Sequence, residues 1–124
     1  METKKNAINW FEIPATNIAR AMKFYSHILD AEMKPFEMGP AKLAFFPADK
    51  GAVAGCVVQA EGYSPSVKGT IVYLNGGKDL NHVLHKVQKA GGKVLKQKFN
   101  IGEHGFIAYF KDTEGNKVAL HSMN

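Results

Sequence analysis

The punctuation of this chain repeats at half its length. Asn17-Ile18 opens an apolar-periodic segment after a strand-like run, and Asp79-Leu80 opens another 62 residues later in a chain of 124. Ala44-Phe45-Phe46 returns as Ala108-Tyr109-Phe110 at an offset of 64, and Gly51 returns as Gly115 at that same offset. Each half reads as strand, helix and three strands. A module of about sixty residues buries too little apolar surface to stand alone, so the two are expected to share a core. The repeat predicts one α+β domain over residues 1–124, with βαβββ modules at 7–60 and 69–122 and a linker at 61–68. It further predicts a curved, mostly antiparallel sheet around a cavity.

Taken in order, residues 7–13 read as a strand closed by Pro14, with Thr16 or Asn17 placed to cap a helix. Ile18, Ala21, Met22, Tyr25, Ile28 and Leu29 then recur at helical spacing, and core packing accounts for Met22, Phe24 and Tyr25. Asp30 ends the helix. Strands follow at 32–38, 41–46 and 53–59; Pro35 marks the first as a sheet edge, and the near absence of polar residues marks the last as central. The second half has a strand at 69–74, a turn at Asn75-Gly76-Gly77, and a helix capped by Asp79 with the stripe Leu80, Val83, Leu84, Val87 and Ala90. Gly91-Gly92 ends that helix. Strands at 94–99, 106–110 and 117–121 complete the pattern, the last two joined by the turn Asp112-Thr113-Glu114-Gly115-Asn116. The polar residues 1–6 are expected to fray.

Several function classes drop out. The net charge is +5, but the lysines are scattered, and the densest group, residues 93–98, alternates like a solvated strand face. Without a basic patch carrying exposed aromatics, no nucleic-acid partner is expected. The positive field favours a small anionic ligand such as a carboxylate or phosphate. The single cysteine, Cys56, excludes an internal disulfide and sits in an apolar run, where a thiol is buried and inert. No apolar run suits a membrane span and no leader pattern opens the chain, so the expectation is a cytoplasmic protein with no membrane partner. Neither a phosphate-binding Gly-rich loop nor a G-x-S-x-G turn is present.

The stretch from Asn17 to Phe24-Tyr25 resembles the "D-x-x-x-x-x-x-F-Y" helix of the vicinal oxygen chelate superfamily, with Asn17 in place of the acid. Phe110-Lys111-Asp112-Thr113-Glu114-Gly115-Asn116 resembles that superfamily's "f-x-D-P-x-G-N" turn, with Thr113 in place of proline. Glyoxalase I, extradiol dioxygenases and the bleomycin- and fosfomycin-resistance proteins belong to it. The resemblance implies a pair of βαβββ modules and a homodimer with cavities at the subunit boundary.

Metal-using members hold one divalent cation on the first, fourth, fifth and eighth strands with His, Gln or Glu. Counting from the matched motifs places those positions at Trp10, Gly55, Val72 and Ala119. None of these side chains binds a divalent metal, so no metal or other cofactor is expected at the usual place. Two residues further along each strand stand Glu12, Val57, Leu74 and His121, expected on the same inward face. Glu12 and His121 are the candidate catalytic pair. A carboxylate and an imidazole facing one cavity can act as base and acid, hold a ligand, or supply two ligands to a displaced metal site. The plainer alternatives are a buried Glu–His pair, or a His121 turned to solvent.

Trp10, Phe45, Tyr73, His104 and Phe106 are the candidate substrate-binding residues, His104 by way of the loop Gly102-Glu103-His104-Gly105. Core packing would place the same aromatics. His82 and His85 read as a solvent face of the second helix, and His27 as a cation near a helix end. Two functions fit best. One is glyoxalase-like lyase or isomerase chemistry on a small oxygenated metabolite without the usual metal. The other is a non-catalytic protein that sequesters a small molecule, as the bleomycin-resistance proteins do. A dimeric fold kept only for partner binding is a third.

Overall fold

Asn17 takes an extended backbone, φ −143° and ψ 102°, and its side-chain oxygen accepts the Arg20 amide at 3.0 Å. That cap starts helix α1 (Ile18–Leu29), which Asp30 ends in the left-handed region at φ 49°. Asp79 starts α2 (Leu80–Val87) in the same way, accepting the Asn81 amide at 3.0 Å. The structure is a computed structural model that describes residues 5–124. The expected fraying of residues 1–6 falls largely on residues 1–4, which lie outside the described residues.

The first module holds β1 (Trp10–Pro14), α1, β2 (Lys34–Met38), β3 (Ala41–Phe45) and β4 (Ala54–Gln59). The second holds β5 (Tyr73–Asn75), α2, β6 (Lys93–Asn100), a 3₁₀ turn at Gly102–His104, β7 (Phe106–Lys111) and β8 (Lys117–Ser122). Each module makes its own four-stranded sheet, in the orders β1-β4-β3-β2 and β5-β8-β7-β6. β1 pairs parallel to β4 and β5 parallel to β8; the other pairings are antiparallel. The repeat is therefore real and the class is α+β, but the expected single curved sheet is two mixed sheets that do not close. β2, with Pro35 in it, is an edge strand, and β4 lies between β1 and β3.

β5 is shorter and later than the sequence suggests. Residues 66–72 run beside β8 with two backbone bonds, Lys117 N–H to Ser66 O at 3.2 Å and Ala119 N–H to Val72 O at 2.9 Å. Gly69, at φ 95°, interrupts any ladder between them.

One core joins the modules. The Tyr25 ring touches both Phe46 and Phe110, with centroids 5.3 and 6.3 Å away, and Phe24 lies 5.9 Å from Phe110. Ile13, Ala44 and Val57 from the first sheet and Leu74, Val118 and Leu120 from the second are buried in this cluster with the apolar stripes of both helices. Phe24 belongs to the buried set of α1, completing its face with Ala21, Tyr25 and Ile28. Gly92 is required where α2 returns to the sheet: a Cβ there would sit 2.6 Å from the Lys111 carbonyl oxygen and 2.8 Å from the Phe24 ring.

The turn between β7 and β8 is part of this junction. Asp112, Glu114 and Asn116 are all buried. Tyr25 donates its hydroxyl to Asp112 at 2.6 Å, Asn116 donates its side-chain amide to the Pro14 carbonyl at 2.7 Å, and Glu114 accepts the amides of Thr16 and Asn17 at 2.9 and 2.8 Å. A segment legible in sequence only as a hairpin turn thus bolts the second module to the start of α1.

Candidate functional site

Each sheet has one face on the shared core and one turned away from it. On the first sheet the outer face carries Trp10 and Glu12 (β1), Cys56 and Val58 (β4), Leu43 and Phe45 (β3) and Phe36 (β2), as the pairings Glu12–Cys56, Phe45–Cys56 and Phe36–Leu43 require. On the second it carries Tyr73 and Asn75 (β5), Ala119 and His121 (β8), Ile107 and Tyr109 (β7) and Phe99 (β6).

Two aromatic chains result, one per sheet. Phe45 lies 6.0 Å from Trp10 and 5.8 Å from Phe36. Tyr109 lies 6.2 Å from both Tyr73 and Phe99, and the Tyr73 and Tyr109 hydroxyls are 3.1 Å apart. The chains occupy related strands, β1-β3-β2 and β5-β7-β6, and each crosses the inner strand beside small residues, Ala54 and Cys56 or Ala119. Trp10 and Tyr73 remain close to half exposed, at 48% and 47%.

A cleft of about 1030 Å³ lies between the modules, lined by Trp10, Glu12 and Phe46 on one side and Val72, Tyr73 and Asn75 on the other. A second, of about 460 Å³, is lined by Tyr73, Asn75, His121 and the C-terminal residues 122–124. Tyr73 belongs to both.

The candidate pair is divided between these clefts. Glu12 opens into the larger one and accepts the Tyr63 hydroxyl at 2.8 Å. That bond, followed by burial and the Glu12 charge, raises the Tyr63 pKa and keeps its proton in place. Tyr63, in the linker, packs over the small cluster of Leu43, Cys56 and Val58. Burial pushes the Cys56 thiol up to about 11, with the Glu12 charge adding to the shift, so this cysteine is a packed group rather than a nucleophile. His121 lines the smaller cleft and donates from Nε2 to the His104 carbonyl oxygen at 2.6 Å. A carbonyl only accepts, so Nε2 carries the hydrogen and Nδ1 is the ring atom left for a ligand.

The other candidates separate too. Trp10, Phe45 and Tyr73 stand on the outer faces. The His104 ring is 79% exposed, and only its backbone reaches the site. Phe106 packs against the shared core and is covered by the Lys98 ammonium 4.7 Å from its ring. His82 lies 3.2 Å from Asp30 on α1's cap, a carboxylate that Lys86 also pairs with, so that face of α2 helps dock the two helices.

Counting from motifs misplaced half of the inward positions. Val57 and Leu74, expected beside Glu12 and His121, point into the shared core, and so do Gly55 and Val72. Two single-residue differences cause this. Ala15 makes the last bond to β4 and Asn17 caps α1 two residues later, whereas Gly76 makes the matching bond to β8 and Asp79 caps α2 three residues later. The hairpin between β3 and β4 is also one residue longer than that between β7 and β8, since Phe45 pairs with Cys56 and Tyr109 with Ala119. On a strand a slip of one reverses the face. The true outer-face partners are Cys56 and Tyr73. Of these four positions, with Trp10 and Ala119, only Cys56 and Tyr73 carry a side-chain donor atom for a metal, and among the described residues no three His, Cys, Asp or Glu side chains converge.

A sequence profile of the Glyoxalase/Bleomycin resistance protein/Dioxygenase superfamily matches residues 7–120. The chain belongs to this superfamily. It is 36% identical over 119 residues to a glyoxylase-like domain-containing protein of Didymella fabae, covering 91% of each. The superfamily's fold recurs in a glyoxylase/bleomycin resistance protein/dioxygenase domain from Frankia sp. EAN1pec, with a TM-score of 0.70, 12% identity and coverage of 95% of this chain and 98% of that one. It recurs also in the trypanothione-dependent glyoxalase I of Leishmania major, with a TM-score of 0.68, 16% identity and coverage of 96% and 88%. At such identities these likenesses concern fold alone. Among the described residues no helix is long and apolar enough to cross a membrane.

Proposed function

We propose that this superfamily member binds a small oxygenated organic molecule on the outer sheet faces and sequesters it, in the manner of the bleomycin-resistance branch. The observation that carries this reading is the aromatic chain on each sheet opening beside the intermodule cleft. Aromatic walls supply stacking and apolar contact without requiring chemistry. A homodimer is part of the reading. Trp10, Phe36, Met38 and Tyr73 are between 47% and 60% exposed, and a second copy covering them would enclose the ligand.

A second reading is glyoxalase-like lyase or isomerase chemistry. Glu12 favours it: its carboxylate opens into the cleft beside a protonated Tyr63, an arrangement able to take a proton next to a carbonyl. In this reading His121 acts from its Nδ1 only on a ligand that spans both clefts. No metal is assigned; Glu12 and His121 would supply two donors of a displaced site, too few to hold one unaided.

The test combines a thermal-shift screen of oxygenated metabolites with turnover assays of the hits, on wild type and Glu12→Gln. Stabilising ligands that survive incubation unchanged support sequestration. Ligand consumption that Glu12→Gln abolishes, with folding intact, would replace it by the enzymatic reading. A chain that stabilises with nothing in the screen and runs as a monomer by light scattering would sink both.

A further inference from the structure

The two outer faces differ in charge. The first carries one acid, Glu12, and one lysine, Lys34, which pairs with Phe45. The second carries Lys93, Lys111 and Lys117 in one row across β6, β7 and β8, with Lys96 beside Tyr109 in the next, and no acid. The Lys117 ammonium lies 4.5 Å above the Tyr109 ring, and that of Lys96 lies 4.8 Å above Phe99. Two amines are therefore held against the same rings that form the aromatic chain.

Nothing among the described residues neutralises this cluster. Asp112 and Glu114, the acids of the adjoining turn, are buried and committed to Tyr25, Asn116, Arg20 and the start of α1. Asp79 takes Lys98 at 3.1 Å, and Asp30 takes Lys86. Glu12 faces Lys117 only across a crevice of about 110 Å³ and is bonded to Tyr63. Lysines on an edge strand guard against edge-to-edge association, which accounts for Lys93 and Lys96 on β6. It does not account for Lys111 and Lys117, because β7 and β8 are inner strands.

We propose, resting on the small-molecule reading above, that the outer face of the second sheet is the anion-holding wall of the site. Its ligand is a flat aromatic or conjugated organic anion. The π body stacks on Tyr109 and Tyr73, and a carboxylate or phosphate meets Lys117 and Lys96. A small ligand outranks a nucleic acid because Tyr73, at the end of this aromatic chain, lines two clefts of a size that suits small molecules.

The test is titration calorimetry at low salt with a matched pair, naphthalene-2-carboxylate and the uncharged 2-naphthamide, and with inorganic phosphate alone. Wild type is expected to bind the carboxylate about tenfold more tightly than the amide, the preference fading at high salt. Lys96→Ala/Lys117→Ala should erase that preference, so that acid and amide bind alike, whereas Lys50→Ala, in a distant loop, should keep it. Tyr109→Leu should weaken both aromatics. Equal binding of acid and amide by wild type would overturn the proposal while leaving small-molecule binding standing. So would an acid preference that survives the double substitution. Binding of phosphate as tight as the carboxylate would refute the aromatic part, and tighter binding of a single-stranded oligonucleotide would replace the ligand class. If wild type bound neither naphthalene, the proposal would fail, while the screen of oxygenated metabolites would still decide the broader reading.

Discussion

Glu114 lies 2.7 Å from Arg20 although 94 residues separate them. Its side chain is wholly buried while that of Arg20 is half exposed. The carboxylate also accepts the amides of Thr16 and Asn17 and the hydroxyls of Thr16 and Thr113. A residue of the second module thus stabilises the first turn of the first module's helix, where a negative charge is favoured.

Replacing Glu114 by Gln should therefore destabilise the whole chain. The exposure of Arg20 screens the ion pair, so most of the loss comes from the charge-assisted bonds that the buried carboxylate takes from the two amides. We expect about 2–4 kcal/mol in urea unfolding, with one cooperative transition. A change under about half a kcal/mol would mean that the bonds are made equally well to water.

The same carboxylate sets an acid limit. Burial would raise its pKa, but the bonds from Arg20, Asn17, Thr113 and Thr16 outweigh burial and bring it from 4.5 down to about 2. Above 4.5 the group is ionised both folded and unfolded, and its stabilisation is fully present. As pH falls from 4.5 toward 2 the unfolded chain takes up the proton first, and that stabilisation is lost. The difference in stability between wild type and Glu114→Gln should narrow from pH 7 to pH 3; a constant gap contradicts the assignment.

Cys56 should be slow to react. Its thiol is fully buried and its pKa stands near 11. Labelling by a disulfide reagent at pH 8 should run roughly a hundredfold slower in the native protein than in denaturant. Labelling at the unfolded rate without denaturant would show that Tyr63 and the linker do not cover this cluster.

Gly92→Ala should cost stability through contact rather than backbone strain, since the added methyl meets the Lys111 carbonyl and the Phe24 ring. We expect about 1–3 kcal/mol. Phe24→Leu in the same chain should recover part of it by withdrawing one of the two obstacles. Additive losses in the double variant would count against the contact.

Much of this fold is legible from short-range chemistry. Asn17, Asp30 and Asp79 each satisfy a local backbone need where the sequence suggests; α2 ends at Val87, earlier than the Gly91-Gly92 pair suggests, and the two glycine amides close the turns that follow it on Gln88 and Val87. The βαβββ repeat is legible because both helices carry an apolar stripe that one shared core buries. The site is less so. Which face a strand residue takes depends on the pairing partner and on the length of the next connection, and single-residue differences carried Val57 and Leu74 to the opposite side. The role of Glu114 was hidden for another reason. Its partners are backbone amides nearly a hundred positions away, and in sequence it is one polar residue in a polar turn. The lysine row was invisible because Lys93, Lys111 and Lys117 are far apart in sequence and meet only through strand register.

The extra residue between Gly76 and Asp79 has a wider meaning for a duplicated architecture. Core and binding surface are written on alternate letters of the same strands, so lengthening one connection by one residue leaves the interior word intact and changes which letters face the guest. Two copies descended from one module can acquire unlike pockets in a single step, before any pocket residue is substituted. An aromatic wall of balanced charge in one half and a cationic, aromatic wall in the other is what such a step leaves for later substitutions to refine.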